Sequence, residues 1–137
     1  MSSHLKGSCL CGKIQFEYSE ELGPIIQCHC RQCRKSNGSA FAANSQIEQS
    51  RFKIIAGKDL IKEYESTKGK FRAFCSNCGS PVYSRKDSLQ DKIRIRLGLL
   101  DTGIDKKPSF NIFVDSKAEW HEICDEIPQY PGFEPGR

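Results

Sequence analysis

No apolar run in this sequence approaches the roughly 18 residues that a membrane-spanning helix needs. The opening residues, Met1-Ser2-Ser3-His4-Leu5-Lys6, have no apolar stretch of the kind a secretory leader carries, so a reducing cytosol is the expected compartment. Lys and Arg are scattered rather than blocked, and neither a repeat nor a low-complexity segment interrupts the chain. These absences argue against a membrane protein, a secreted disulfide scaffold and a basic nucleic-acid-binding tail. Apolar residues are also scarce, at 37% against 28% charged. That mixture is too apolar for a disordered tail. Over 137 residues it fits one domain, 1–137, with a modest core that an extra staple would support.

Cysteine is plentiful. Eight are present, and seven fall into three tight groups: Cys9-x-Cys11, Cys28-x-Cys30-x-x-Cys33 and Cys75-x-x-Cys78. Disulfide frameworks spread their cysteines along a secreted chain, whereas tight groups without a leader read as metal sites. Cys75-Ser-Asn-Cys78-Gly79 has the form of a zinc knuckle, two thiolates across a tight turn closed by a glycine that accepts positive φ. Cys9-Leu-Cys11-Gly12 also ends in glycine, and on a strand residues two apart face one side. Paired, these groups supply four ligands and clamp the N-terminal region to the middle of the chain. Structural zinc of this kind contributes on the order of 10 kcal/mol to folding.

The middle group supplies three sulfurs within six residues. Three protein ligands and an open position are the layout of a catalytic zinc, where a bound thiol or water loses its proton near neutral pH. Other readings stay open at this point. Cys124 closes the tripod in a purely structural site, His29 serves as a ligand, or the trio acts as a metal-free redox cluster. Formally Lys and Arg number 21 against 17 acids, a balance of +4 that counts thiols as neutral. With four thiolates on one Zn²⁺ and three on another it falls to about +1, so nucleic-acid binding is not expected on charge grounds.

Strand signals dominate the rest, so the expected fold is mainly β. Ile14, Phe16 and Tyr18 alternate with Lys13, Gln15 and Glu17, and Phe52 and Ile54 flank Lys53. Phe71, Ala73 and Cys75 alternate with Lys70, Arg72 and Phe74. Ile93, Ile95, Leu97 and Leu99 alternate with Arg94, Arg96 and Gly98, which predicts exposed arginines. Short apolar runs at 25–28, 39–43, 82–84 and 110–114 read as further strands, separated by Gly- and Pro-containing turns. Helix is expected only as single turns at 31–36 and 117–123. The tail from Pro128 reads as an extended arm with Tyr130 and Phe133 packed back on the body.

The series Gly7-x-Cys9-x-Cys11-Gly12, then Cys28-His29-Cys30-x-x-Cys33-Arg34, then Phe74-Cys75-x-x-Cys78-Gly79-Ser80-Pro81 resembles the glutathione-dependent formaldehyde-activating enzyme family. Ile112-Phe113-Val114-x-Ser116-Lys117-Ala118-x-Trp120 and Ile127-Pro128 are similar to it as well. The resemblance implies a β-tent, two small antiparallel sheets meeting around metal, with few helices. It implies one structural zinc on Cys9, Cys11, Cys75 and Cys78 and one catalytic zinc on Cys28, Cys30 and Cys33. It further implies a carbon–sulfur lyase chemistry in which glutathione and a small aldehyde, formaldehyde, give S-hydroxymethylglutathione. One departure is Asn111, which stands where the family often has His.

Arg31, Arg34 and Lys35 flank the tripod and suit glutathione's two carboxylates; the alternative is a solvated basic surface. The polar turn Ser36-Asn37-Gly38-Ser39 reads first as an ordinary turn. Thiols add to formaldehyde readily without help, so a glutathione carrier and a structural zinc module that binds a protein or nucleic-acid partner compete with the enzyme reading.

Overall fold

The computed structural model describes residues 4–136. In chain order the strands are β1 (Leu5–Ser8), β2 (Gln15–Tyr18), β3 (Ile25–Cys28), β4 (Ala42–Glu48), β5 (Phe52–Ala56), β6 (Ile61–Thr67), β7 (Lys70–Cys75), β8 (Pro81–Lys86), β9 (Leu89–Arg96) and β10 (Pro108–Ile112). The single α-helix among the described residues, α1 (Arg31–Asn37), follows β3. The expected mainly-β fold is observed. The chain forms two compact units, one from residues up to 23 and 45–105, the other from 24–44 and 106 onward, and β4 leads from the second into the first.

In the first unit, β1, β2 and β5 form an antiparallel sheet in which Phe16 stands opposite Gly7 and Ile54. The four strands β6 to β9 form an antiparallel meander. The two sheets share a core. Ile14 and Phe16 from one side meet Val82 and Cys75 from the other, with Cys9 in the same cluster. A neighbouring cluster joins Leu5, Tyr18, Leu22, Ile47, Ile93 and Ile95. Burying a side chain such as Phe16 contributes on the order of 2–3 kcal/mol, so a handful of such residues makes a small core.

In the second unit β10 runs parallel to β3, placing Ile112 beside Cys28 and Asn111 beside Gln27. The segment after residue 127 continues this arrangement. Asn111 N–H donates to the Pro128 carbonyl, Tyr130 N–H donates to the Asn111 carbonyl, and Asn111 bridges Gln129 in parallel. The arm packs back as the sequence predicts, with Tyr130 against Phe110 and Phe133 against Phe113.

Expectations about β9, residues 117–123 and Arg96 fail for identifiable reasons. The alternation from Ile93 ends at Arg96, and Leu97–Leu99 turn as a 3₁₀ helix because Leu100 bridges back to Gly7. Residues 117–123 hold one turn, at 119–120, rather than a helix; the 3₁₀ turn lies earlier, at Val114–Ser116. Arg96 is 3% exposed rather than solvated, and its guanidinium lies against Ser84 Oγ and the Arg94 carbonyl. A strand residue is exposed only if its face is uncovered, and alternation alone does not say which faces are covered.

Two positions yield predictions. Gly57 has φ +78°, and a Cβ there would lie 2.3 Å from the Lys13 carbonyl oxygen. Gly69 has φ +79° but only ordinary contacts, the nearest at 3.9 Å. Strain alone costs about 1 kcal/mol and a backbone clash adds a comparable or larger amount. Urea unfolding is therefore expected to show Gly57→Ala losing about 3 kcal/mol and Gly69→Ala about 1 kcal/mol.

On the meander, Arg85 grips Glu63 through two hydrogen bonds of 2.8 Å, and Tyr83 donates to the same carboxylate at 2.9 Å. Arg85 first and Tyr83 second hold the Glu63 carboxyl below its usual value of 4.5, against the opposing effect of burial. A depressed carboxyl stabilises the fold above its unfolded pKa and loses that contribution as pH falls through the folded value. Stability measured by denaturant titration should thus fall more steeply below about pH 4.5 in the natural chain than in Glu63→Gln.

Candidate metal centres

The first unit brings Cys9, Cys11, Cys75 and Cys78 together, with all four sulfurs within 4.8 Å of one another. Cys11 and Cys75 are 64 residues apart in sequence, yet their sulfurs lie 3.9 Å apart, and the Cys9 and Cys11 sulfurs lie 3.5 Å apart. Cys9-Leu-Cys11 achieves this on a turn, not on a strand as the spacing suggested. Gly12 N–H donates to the Cys9 carbonyl at 2.9 Å, and Gly79 N–H donates to the Cys75 carbonyl at 2.7 Å. Both glycines take positive φ, so each half of the centre is the same device, a tight turn ended by a left-handed residue.

Four sulfurs around one Zn²⁺ at about 2.3 Å stand roughly 3.8 Å apart at the edges of the tetrahedron, and the two distances above bracket that value. The surroundings favour the thiolate form at Cys78 and Cys11. Ile14 N–H donates to the Cys9 sulfur at 3.3 Å, and Ser80 Oγ lies 3.3 Å from the Cys78 sulfur. The hydroxyl and backbone N–H of Ser80 lower the Cys78 thiol to about 5, and the Asn77 side chain is the leading cause that lowers Cys11. Cys75 is raised, chiefly by burial. The residues present fit a tetrahedral, thiolate-bound ion.

The second unit gathers Cys28, Cys30 and Cys33, again with all sulfurs within 4.8 Å of one another. Cys28 ends β3, Cys30 caps α1, and Cys33 lies in its first turn. The Cys33 N–H donates to the Cys30 sulfur at 3.3 Å, so the helix cap itself fixes one edge of the tripod. The side chains of Cys30 and Cys33, then burial, push the Cys28 thiol far up. Three crowded sulfurs repel a second and third negative charge, and a cation among them relieves that repulsion. The donor set suits zinc or another thiophilic ion.

Among the described residues no fourth His, Cys, Asp or Glu joins this tripod. Cys124 is exposed and faces the Glu122 carbonyl at 3.6 Å. His29 is 1% exposed and lies outside the sulfur cluster, packed against Phe41 and His121. Its Nε2 stands 2.8 Å from Asn111 Oδ1, and Asn111 Nδ2 donates to Asp125 Oδ1 at 3.1 Å. Since the amide nitrogen serves Asp125, the amide oxygen accepts, and His29 carries its proton on Nε2. Burial, more than any charge nearby, lowers the His29 pKa and favours the neutral ring. This chain of three side chains was not foreseen, since residues 82 positions apart carry no local signal for it.

Of the basic residues expected beside the tripod, Arg31 and Lys35 are exposed on α1, and Arg34 is half-buried. A cleft of about 970 Å³ in the first unit, lined by Tyr18, Glu20, Glu48, Arg51 and Lys92 among others, contains no cysteine. Its charges are largely paired with one another, Arg51 with Glu20 and Lys92 with Glu48, and we assign it no chemistry.

Residues 4–116, which include all seven clustered cysteines, match the family described as glutathione-dependent formaldehyde-activating enzyme. The chain belongs to that family. Among curated proteins, an uncharacterized lyase from Schizosaccharomyces pombe is 31% identical over 78 residues, covering 57% of this chain. The chain spans 55% of that relative's length. A crystal structure of a Rhodobacter sphaeroides protein superposes with a TM-score of 0.60 at 21% identity, covering 90% of this chain and 98% of that one. At that identity the likeness extends to the fold. No described helix is long and apolar enough to cross a membrane.

Metal analysis is expected to find two zinc ions per chain, and Cys124→Ser should retain both. Cys30→Ser should lose one and leave cooperative unfolding. Cys78→Ser should lose the other and abolish the thermal transition, as removal of a staple worth on the order of 10 kcal/mol would.

Proposed function

We propose that this family member is a zinc-dependent carbon–sulfur lyase acting on glutathione adducts, most directly the adduct with formaldehyde. The observation that carries this reading is the contrast between four sulfurs in one cluster and three in the other, with no fourth donor among the described residues. The family and the lyase designation of the fission-yeast relative support it. The four-cysteine set would hold a structural ion, and Cys28, Cys30 and Cys33 the catalytic one.

An ion held by three thiolates supplies positive charge that lowers the pKa of an incoming thiol. The chain's own residues do the rest. Arg31, Arg34 and Lys35 attract glutathione's two carboxylates, and an arginine fork binds a carboxylate in two parallel hydrogen bonds. The Asn111–Asp125 pair keeps the ring of His29, the residue between Cys28 and Cys30, in one orientation. The reaction itself is an addition without oxidation. The glutathione S–H bond breaks, a sulfur–carbon bond forms at the aldehyde carbon, and the proton passes to the carbonyl oxygen. Because the free addition is already easy, the protein's contribution is positioning.

Cobalt-substituted protein provides the test. Adding glutathione should change the visible spectrum of the natural chain and leave that of Cys30→Ser unchanged. A silent natural spectrum overturns this reading. Product formation from formaldehyde then separates an enzyme from a carrier.

A further inference from the structure

Formaldehyde offers one carbon and no apolar surface, yet the tripod's cysteines share a hydrophobic cluster with a set of aromatic rings that form one wall of it. Phe110, Phe113 and Tyr130, together with Cys30, pack on the buried cluster formed by Ile26, Cys28, Cys33, Ala42 and Ile112. Tyr130 meets Phe110 edge-on at 5.8 Å, and Phe133 meets Phe113 edge-on at 4.8 Å. The wall is not sealed. The three packed rings are only partly buried, and Phe133 is 47% exposed.

The backbone is bent to make this wall. Phe113 has φ 55°, the one non-glycine residue with positive φ among the described residues. A bulky residue rarely adopts that conformation, and such outliers concentrate at functional sites. Here the arm holds it in place, with Phe113 N–H donating to the Gly132 carbonyl and Val114 N–H to the Tyr130 carbonyl. The arm also supplies Tyr130 and Phe133, and it lies beyond residue 116, where the family match stops. Half of the wall therefore comes from a part of the chain outside that match.

We propose that the wall receives the carbon side of the adduct, and that this side carries an aromatic group. Edge-to-face pairs leave ring faces and edges that accept a further ring. The proposal rests on the glutathione reading above and names its second substrate, an aromatic aldehyde. The balance of the reaction is unchanged: S–H and C=O give S–C and O–H.

Stable thioethers test this by calorimetry on the zinc-loaded protein. S-benzylglutathione should bind at least tenfold more tightly than S-methylglutathione, and more tightly than S-hexylglutathione, which matches its apolar bulk without a ring. Phe133→Ala should reduce that benzyl-to-methyl ratio severalfold. Phe113→Gly should do the same, and glycine suits positive φ, so the backbone there is not disturbed. With aldehydes, kcat/KM for benzaldehyde should exceed that for formaldehyde. Equal binding of the benzyl and methyl compounds, equal binding of the benzyl and hexyl compounds, or a ratio indifferent to both substitutions overturns the wall while leaving glutathione as substrate. If neither glutathione nor any thioether binds, the glutathione reading falls and the wall with it.

Discussion

The first unit converges on one gathering of four sulfurs. Cys9 and Cys11 precede the three-stranded sheet's second strand, and Cys75 and Cys78 close a hairpin of the meander. Cys9 and Cys75 belong to the same buried cluster as Ile14, Phe16 and Val82. The ion that this set can hold therefore sits where two small sheets meet, at the edge of a core too modest to secure them unaided. A bond to metal there would substitute for apolar area that a chain of this size and composition does not have.

The second cluster follows a different logic. Its three sulfurs come from the end of a strand, a helix cap and the first helical turn, so local geometry alone assembles it. What long-range structure adds is its setting. The parallel pairing of β10 with β3 brings Asn111 to His29, Phe113 follows β10 and packs on the cluster that includes Cys28 and Cys33, and the arm then fixes both residues through its own hydrogen bonds. The first cluster holds distant segments together. The second is presented by the fold with one side chain fewer.

The sequence was most legible where chemistry is local. Cysteine spacing indicated the tripod and each half of the four-cysteine set, the halves being marked by their trailing glycines, because a turn of a few residues is enough to bring the sulfurs of each group together. Alternation found β2, β5, β7 and the second half of β9 because burial on one face imposes a period of two. It failed at Leu97–Leu99, where a bridge to Gly7 bends the chain, and at Arg96, where an arginine on the face opposite Ile95 turned out to be covered. The Cys9–Cys11 pair was placed correctly in space but on the wrong local structure, since a turn and a strand can both bring sulfurs two residues apart to one side. The His29–Asn111–Asp125 chain was beyond reach, because it depends on a parallel strand pairing that no short-range pattern encodes.

The difference in loop length between the two clusters also orders events during synthesis. The ribosome delivers Cys28, Cys30 and Cys33 almost together, whereas Cys9 and Cys11 wait until Cys78 emerges before their set is complete. At an elongation rate of roughly 5–20 residues per second that interval lasts seconds. The first complete ligand trio on the nascent chain is thus the one to which we assign the proposed chemistry, and the four-cysteine set is finished second.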